Sequence, residues 1–351
     1  MGIAKGRFVI DTHVHSLRLA LKWKERGVTP DFVELSRGIS GHEGYDNSPR
    51  LLYDMERYGV DMCVLNPGPG GRIDITEETV KKYPDKFVAM IGPAEYNQKV
   101  QEEGLEWKVE DMCKYLDEKL STGMFVGIGE GMPGNPTRDV NKEVHWDERF
   151  EEIRQVMEVA RKHGVTVGWH TGGSSGYAGG RRPLGNRAHG EAGNPLLAHD
   201  VASAFPDVPL VLAHGGVDGW WSERTLELCL QVAAAHANVY LETGQYWTEL
   251  YEKPLRDTNI GVEKLLWGTD WGAAHPVQWW PGAYPSMYFD QSRKDGVPAH
   301  MPDIFGQSLR WIDKLDIPQD DLNLLLGGNA VKLFKLEDKM PHTRMFKQFL
   351  K

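Results

Sequence analysis

Eight short apolar runs recur along the chain, with polar and mixed stretches between them. Each run is rich in Val, Ile and Leu and closes on polar or glycine residues, which is typical of buried parallel strands whose C-terminal ends open into loops. The runs occupy residues 8–13, 62–67, 87–93, 125–130, 165–170, 209–214, 239–243 and 265–270.

The segments between the runs carry helix signals. Ser48 and Pro49 supply a cap and a first-turn proline, and Asn194 and Pro195 begin another helix. Apolar stripes are formed by Leu51, Leu52, Met55 and Tyr58, and by Phe150, Ile153, Met157 and Ala160. Strand and helix in eightfold alternation predict an α/β fold, a (β/α)8 TIM barrel, as a single domain over residues 1–351. An open doubly wound sheet is the alternative, which is disfavoured because no Gly-rich phosphate turn follows the first run.

Composition narrows the class of protein. The net charge of −10 over 351 residues argues against nucleic acid or an anionic membrane as the partner and leaves a small-molecule substrate. The three cysteines, Cys63, Cys113 and Cys229, are too few and too far apart for a disulfide framework. The N-terminus has no apolar leader and no segment approaches a membrane span, so we expect a soluble, cytoplasmic protein. The oligomeric state stays open, a homo-oligomer included.

Two connections are longer than ordinary barrel turns. Residues 171–193 follow the fifth predicted strand and residues 271–303 follow the eighth, and both are rich in Gly, Pro or Arg. Long loops at this end of barrel strands commonly build the substrate pocket. The alternative for residues 171–193 is a surface loop without a role in binding.

Residue types that bind metals stand at the predicted strand ends. His13 and His15 share one face of the first strand because alternate residues of a strand point the same way. Glu130, His170, His214 and Asp270 end the fourth, fifth, sixth and eighth strands. A barrel brings these ends to one rim, and imidazole with carboxylate suits a divalent ion, zinc or manganese rather than calcium.

Five motifs in this order resemble the amidohydrolase superfamily: DTHVHS, WHTGG, LAHGG, LLWGTDWG and LLGGNAVKLF. They are most similar to the amidohydrolase-related branch that includes enzymes of the aminocarboxymuconate-semialdehyde decarboxylase type, and the resemblance spans residues 10–334. It implies a metal-dependent barrel in which His13, His15, His170 and Asp270 bind the ion. It also implies that His214 hydrogen-bonds the metal-held water or the substrate as an acid or base, or binds a second ion.

The resemblance leaves two reactions open. In the hydrolases, water activated by the metal loses a proton to Asp270 and attacks a carbonyl, here of a small, cyclic or aromatic substrate that carries a carboxylate. In the decarboxylases, the metal anchors an aromatic or unsaturated acid that loses CO₂. Hydrolysis is favoured because Glu130 occupies the place of a strand-four carboxylate that holds a second ion in some hydrolases, and because MIGPAEYNQ departs from the decarboxylase pattern. For Glu130 the preferred role is nevertheless to orient a histidine.

Further candidates lie near the same rim. Trp220 and Trp271 would line a pocket for a flat ring, although they would equally well pack the loops. Arg181, Arg182 and Arg224 would clamp a substrate carboxylate, although surface ion pairs are the commoner fate of such residues. Glu242 ends the seventh strand and faces either the rim or the helix layer.

Two other classes of protein remain as alternatives. One is a barrel that has lost catalysis and acts as a scaffold. The other is a dinucleotide oxidoreductase, although the chain lacks the Gly-rich fingerprint of that class.

Overall fold

The computed structural model of the protein describes residues 3–21, 42–67, 73–132, 146–171, 194–217, 222–244, 246–271, 294–296 and 304–340. Its strands are β1 (Ile10–Val14), β2 (Leu17–Leu21), β3 (His42–Asp46), β4 (Met62–Leu65), β5 (Phe87–Ile91), β6 (Phe125–Met132), β7 (Thr166–His170), β8 (Leu210–Ala213), β9 (Val239–Glu242) and β10 (Leu265–Leu266). Its α-helices are α1 (Ser48–Tyr58), α2 (Ile73–Lys82), α3 (Pro93–Glu103), α4 (Val109–Leu120), α5 (Trp146–His163), α6 (Leu197–Ala204), α7 (Ser222–Ala235), α8 (Thr248–Arg256), α9 (Ile304–Ile312), α10 (Gln319–Asn323) and α11 (Asn329–Phe334).

Eight parallel strands form the central sheet in the order β1, β4, β5, β6, β7, β8, β9, β10. The first and last strands of this order also meet. Val14 forms a parallel bridge with Trp271, and the backbone N–H of Thr12 donates to the carbonyl of Trp267 at 3.0 Å. The sheet is therefore a nearly closed barrel, which confirms the predicted (β/α)8 TIM barrel. The open doubly wound alternative is wrong, because it would leave these two strands apart.

Each of the eight predicted apolar runs coincides with one barrel strand, although β1 and β6 extend one and two residues beyond their runs. The helix signals are confirmed as well: α1 begins at Ser48 with Pro49 in its first turn, and α5 buries Ile153, Met157 and Ala160. The amide of Leu196 donates to the side chain of Asn194 at 3.1 Å, immediately before α6. Within the described residues, none of the helices has the length and apolarity that crossing a membrane requires.

A two-stranded antiparallel hairpin was not predicted from the sequence. β2 and β3 pair from Leu17 with Asp46 to Leu21 with His42, directly after the first barrel strand. The pairing is remote in sequence because residues 22–41 separate the two strands, and those residues lie outside the described part. The predicted long loops, residues 171–193 and 271–303, also lie almost wholly outside the described part.

Two apolar layers hold the barrel. One lies between the strands and the helices and includes Val9, Leu65 and Leu212 with Leu51 and Leu116. The other is formed by the alternate strand residues, which face the barrel interior. They include Ile10, Val64, Met90, Val211 and Leu266, which pack with Val331 and Phe334 of α11. Apolar side chains thus fill the lower interior, and the polar ends of the strands are left at the C-terminal rim.

Candidate metal centre

The six ligand-type residues predicted at the strand ends lie together at the C-terminal rim. His13 lies in β1, Glu130 in β6 and His170 in β7. His15, His214 and Asp270 follow the ends of β1, β8 and β10. His13, His15, His214 and Asp270 are almost completely buried, whereas His170 and Glu130 are partly exposed. The site is therefore largely shielded from water and open on the side of β6 and β7.

One group of ligand atoms joins the two ends of the barrel sheet. It consists of His13, His15 and Asp270, whose ligand atoms lie within 4.8 Å of one another. Nε2 of His13 lies 3.0 Å from Nε2 of His15. Oδ1 of Asp270 lies 3.8 Å from Nε2 of His13 and 3.4 Å from Nε2 of His15.

A second group lies beside the first and consists of Glu130, His170 and His214. Oε1 of Glu130 lies 3.0 Å from Nε2 of His214 and 3.5 Å from Nε2 of His170. Its other oxygen, Oε2, lies 3.0 Å from Nε2 of His13 and 3.3 Å from Nε2 of His15. Glu130 therefore connects the two groups, and His170 belongs with Glu130 and His214 rather than directly with the first group.

Irregular strand pairing helps to aim these side chains. The register of β1 against β4 shifts between Asp11 and Val14, and the register of β6 against β7 shifts between Ile128 and Gly131. Such bulges bend a strand and re-aim its side chains, which is common beside active sites. The amide of His13, within the first shift, donates to the carboxylate of Asp11 at 2.9 Å.

Two of the candidate ligands have left-handed backbone, which residues other than glycine rarely adopt. His214 has a φ of 61° and Asp270 has a φ of 54°. Such strain persists only where the surroundings fix it. The amide of His214 donates to Oε2 of Glu242 at 2.8 Å. Beside Asp270, both the amide and the hydroxyl of Thr269 donate to Asp11.

The turn after His214 is fixed by two further side chains. The hydroxyl of Thr171 donates to the carbonyl of Ala213 and accepts from the amide of Gly216. The hydroxyl of Tyr246 donates to the carbonyl of Gly215 at 3.0 Å. Groups from both neighbouring strand ends thus determine where the His214 imidazole points.

Burial and charge act in opposite directions on the ionisable groups of the cluster. Burial alone would raise the pKa of Glu130, but the charge of His13 and hydrogen bonds from the surrounding imidazoles bring it well below its ordinary value. Burial likewise opposes ionisation of Asp270, yet its pKa is lowered, chiefly by His214 and His15. Burial favours the neutral form of His214, but Asp270 and Glu130 raise its pKa to about 9. The cluster thus keeps its carboxylates ionised and attracts positive charge.

The donor set fits a divalent transition metal ion. Nδ1 of His13 is hydrogen-bonded to Glu242 at 2.8 Å, so Nε2 of a neutral His13 carries a lone pair. Without a metal, Glu130 and Glu242 raise the pKa of His13 well above its ordinary value although burial opposes this, and the proton on Nε2 then meets Glu130 at 3.0 Å. A divalent ion would take the place of that proton. Burial lowers the pKa of His170 to about 4, so its imidazole is neutral and able to coordinate. Imidazole and carboxylate together are ligands that zinc and manganese accept.

Two supporting carboxylates were not assigned from the sequence. Glu242 faces the rim and is 1% exposed, which answers the question that the sequence left open. Successive residues of a strand face opposite sides, and Leu241 packs against the helices. This alternation is the sequence signal that Glu242 faces the barrel interior. Asp11 is completely buried, and burial raises its pKa to about 8 against the effect of the Thr269 and His13 hydrogen bonds.

The predicted substrate-binding residues are described only in part. Arg181, Arg182 and Trp220 lie outside the described residues. Arg224 is exposed in α7, while Trp271 is 1% exposed and its indole N–H donates to Oδ2 of Asp54 at 3.1 Å. A role in substrate binding stays a prediction for all of them.

A family model described as amidohydrolase matches residues 10–336, which include all six ligand-type residues. The chain belongs to the amidohydrolase family. Amidohydrolases are generally dependent on divalent metal ions, so the protein is an enzyme of a metal-dependent family, as predicted. No curated protein matches this amidohydrolase.

Solved structures with similar folds are distant in sequence. The crystal structure of a probable 2-pyrone-4,6-dicarboxylic acid hydrolase from Acinetobacter baumannii is 13% identical, with a TM-score of 0.50 over 93% of this chain and 99% of that chain. An L-hydantoinase (dihydropyrimidinase) from Arthrobacter aurescens is 14% identical, with a TM-score of 0.49 over 95% of this chain and 73% of that chain. An amidohydrolase 2 from Bifidobacterium longum subsp. infantis is 12% identical, with a TM-score of 0.47 over 94% and 99%. At these identities the likeness concerns the fold alone.

Proposed function

We propose that this amidohydrolase is a hydrolase with a two-ion centre, in which Glu130 binds both ions. The supporting observation is the position of its two oxygens, one beside each group of imidazoles. A carboxylate that only orients a histidine contacts the ring nitrogen that points away from the metal. Glu130 instead faces the Nε2 nitrogens, which favours the ligand role over the orienting role expected from the sequence.

In this proposal His13, His15 and Asp270 hold one ion and His170 and His214 hold the other. Bound divalent ions would polarise a substrate carbonyl and lower the pKa of water toward neutrality. Asp270 serves as the base, because its carboxylate stays ionised between His15 at 3.4 Å and His214 at 3.8 Å. Its left-handed backbone directs the carboxylate toward both imidazoles at once.

The proposed substrate is a small cyclic or aromatic molecule that carries a carboxylate. The similar structure from Acinetobacter baumannii is described as a probable hydrolase of a pyrone dicarboxylic acid, which is one member of this class. Arg181, Arg182 and Arg224 are proposed to meet the carboxylate, and Trp220 and Trp271 to contact the ring. A decarboxylase would use the same ligands and is the competing outcome of the experiment.

A panel of lactones, cyclic amides and hydroxybenzoates distinguishes the two reactions when turnover is run in H₂¹⁸O and, separately, in D₂O. Hydrolysis places ¹⁸O in the product and releases acid without CO₂. Decarboxylation releases CO₂ and places deuterium on carbon, and that result would overturn the proposal. Asp270→Asn protein, purified in parallel, is the control for contaminating activities.

A further inference from the structure

Glu242 makes two short contacts with two different ligand residues. Its Oε2 lies 2.8 Å from Nδ1 of His13 and accepts the backbone N–H of His214, also at 2.8 Å. His13 belongs to the first group and His214 to the second, and the two also form a third candidate group with Glu242 itself. They come from β1 and from the turn after β8. Glu242 thus contacts both groups on the side away from Glu130.

The contact with His13 fixes which of its nitrogens carries the proton. An ionised carboxylate only accepts hydrogen bonds, so Nδ1 of His13 must be the donor. In the neutral form that a metal ligand must adopt, Nε2 is then the nitrogen with a lone pair, and it lies 3.0 Å from Nε2 of His15. A carboxylate on the far side of a ligating imidazole also increases its basicity.

The contact with His214 stabilises a strained backbone. His214 has a φ of 61°, in the left-handed region where a residue other than glycine is strained. A hydrogen bond from its amide to an ionised carboxylate is stronger than one to a neutral acceptor. Glu242 therefore helps to keep the His214 imidazole directed at Glu130.

The barrel provides space for this carboxylate at the neighbouring strand. A Cβ atom at Gly268 would lie 2.0 Å from Oε1 of Glu242 and 2.6 Å from its Cδ. Oε1 itself is buried and has no hydrogen-bond partner among the described residues. A buried carboxylate with one oxygen lacking a hydrogen-bond partner reduces the stability of the fold, and nearby cations would offset that loss.

We propose that Glu242 is a positioning residue that sets the His13 tautomer and the His214 turn together, so that a single side chain prepares both halves of the metal centre. The proposal rests on the two-ion centre proposed above. It predicts that loss of Glu242 weakens metal binding in both groups, although Glu242 itself need not contact an ion.

The experiment compares the wild-type chain with Glu242→Ala and Glu242→Gln after removal of metal by a chelator. Zinc affinity is measured by competition with a chromophoric chelator, and the visible spectrum is recorded with saturating Co²⁺. Ala removes both contacts, and we expect both binding steps to weaken by about 10–100-fold, with an altered Co²⁺ spectrum. Gln keeps an acceptor but not the charge, and we expect an intermediate loss of about tenfold.

Glu95→Gln is the matched control, because Glu95 is also a buried carboxyl that accepts a backbone N–H, that of Gly92 at 3.1 Å. Gly268→Ala tests the same contact without altering the carboxylate and should resemble Glu242→Ala. Wild-type affinity and Co²⁺ spectrum in Glu242→Gln and Gly268→Ala would overturn the inference, even if Glu242→Ala failed to fold. A wild-type chain that binds no zinc would instead refute the proposed two-ion centre.

Discussion

Replacing Thr171 by Val removes a hydroxyl and keeps the shape of the side chain. Thr171 is completely buried, and its hydroxyl bonds the carbonyl of Ala213 and the amide of Gly216, on either side of His214. Val leaves the Gly216 N–H without this acceptor and the Ala213 carbonyl without this donor. A buried polar group without a partner costs about 1–3 kcal/mol, so for these two groups we expect the free energy of unfolding to fall by about 2–6 kcal/mol.

The assay is urea unfolding of the metal-free chain, followed by fluorescence and circular dichroism so that coincident transitions can be verified. Thr171→Ser is the control, because it keeps the hydroxyl and loses only a methyl group, which is worth about 1 kcal/mol. We also expect weaker zinc binding in Thr171→Val than in Thr171→Ser, because the turn that carries His214 is loosened. Equal unfolding free energies and equal zinc affinities in the two variants would refute the role assigned to this hydroxyl.

Three further predictions concern the ligands and one buried carboxyl. Asp270→Asn should lower kcat by about 10²-fold or more, because Asn is a weaker ligand and no base, and steady-state kinetics on the substrate identified by the panel will measure it. The double variant His13→Ala/His15→Ala should lose metal that elemental analysis detects in the wild type, and equal metal content would contradict the ligand assignment. Burial raises the pKa of Glu95 from 4.5 to about 8, so its protonated form stabilises the fold at low pH and that stability is lost as pH rises to about 8. Glu95→Gln should therefore flatten the decline of unfolding free energy over this range, which amounts to about 1.4 kcal/mol per pH unit for one proton. Urea unfolding between pH 5 and pH 8 measures this slope, and an unchanged slope would contradict it.

The barrel strands could be predicted because they are buried on both faces and therefore read as nearly continuous apolar runs. The hairpin could not, since its strand Leu17–Leu21 pairs with a segment that begins only at His42, and remote pairing leaves little local signal. A tight hairpin is recognised in a sequence by a two-residue turn such as Asn-Gly between its strands, and strands separated by residues 22–41 do not have that signature.

The cluster at the rim could be predicted because its six residues are of types that bind metals and all stand at strand ends, and their role as ligands stays a prediction. Their supports were harder to recognise. The register shift after Asp11 breaks the simple alternation of β1, so the contact between Asp11 and the His13 amide depends on a bulge that the sequence does not reveal. The division into two groups depends on where the Glu130 oxygens point, which is a matter of tertiary geometry.

The barrel closes between strands that are far apart in the chain: the hydroxyl of Thr12 donates to the carbonyl of Trp267, 255 positions later. During synthesis, His13 and His15 leave the ribosome long before Asp270 does. Contacts of such long sequence separation form late, because closing the intervening loop costs entropy. A complete set of ligands therefore exists only after the last strand has docked, and an ion that binds only this state stabilises it by mass action. In the proposed centre, the ion would thus bind only once the two ends of the sheet have met, and it would hold that seam closed.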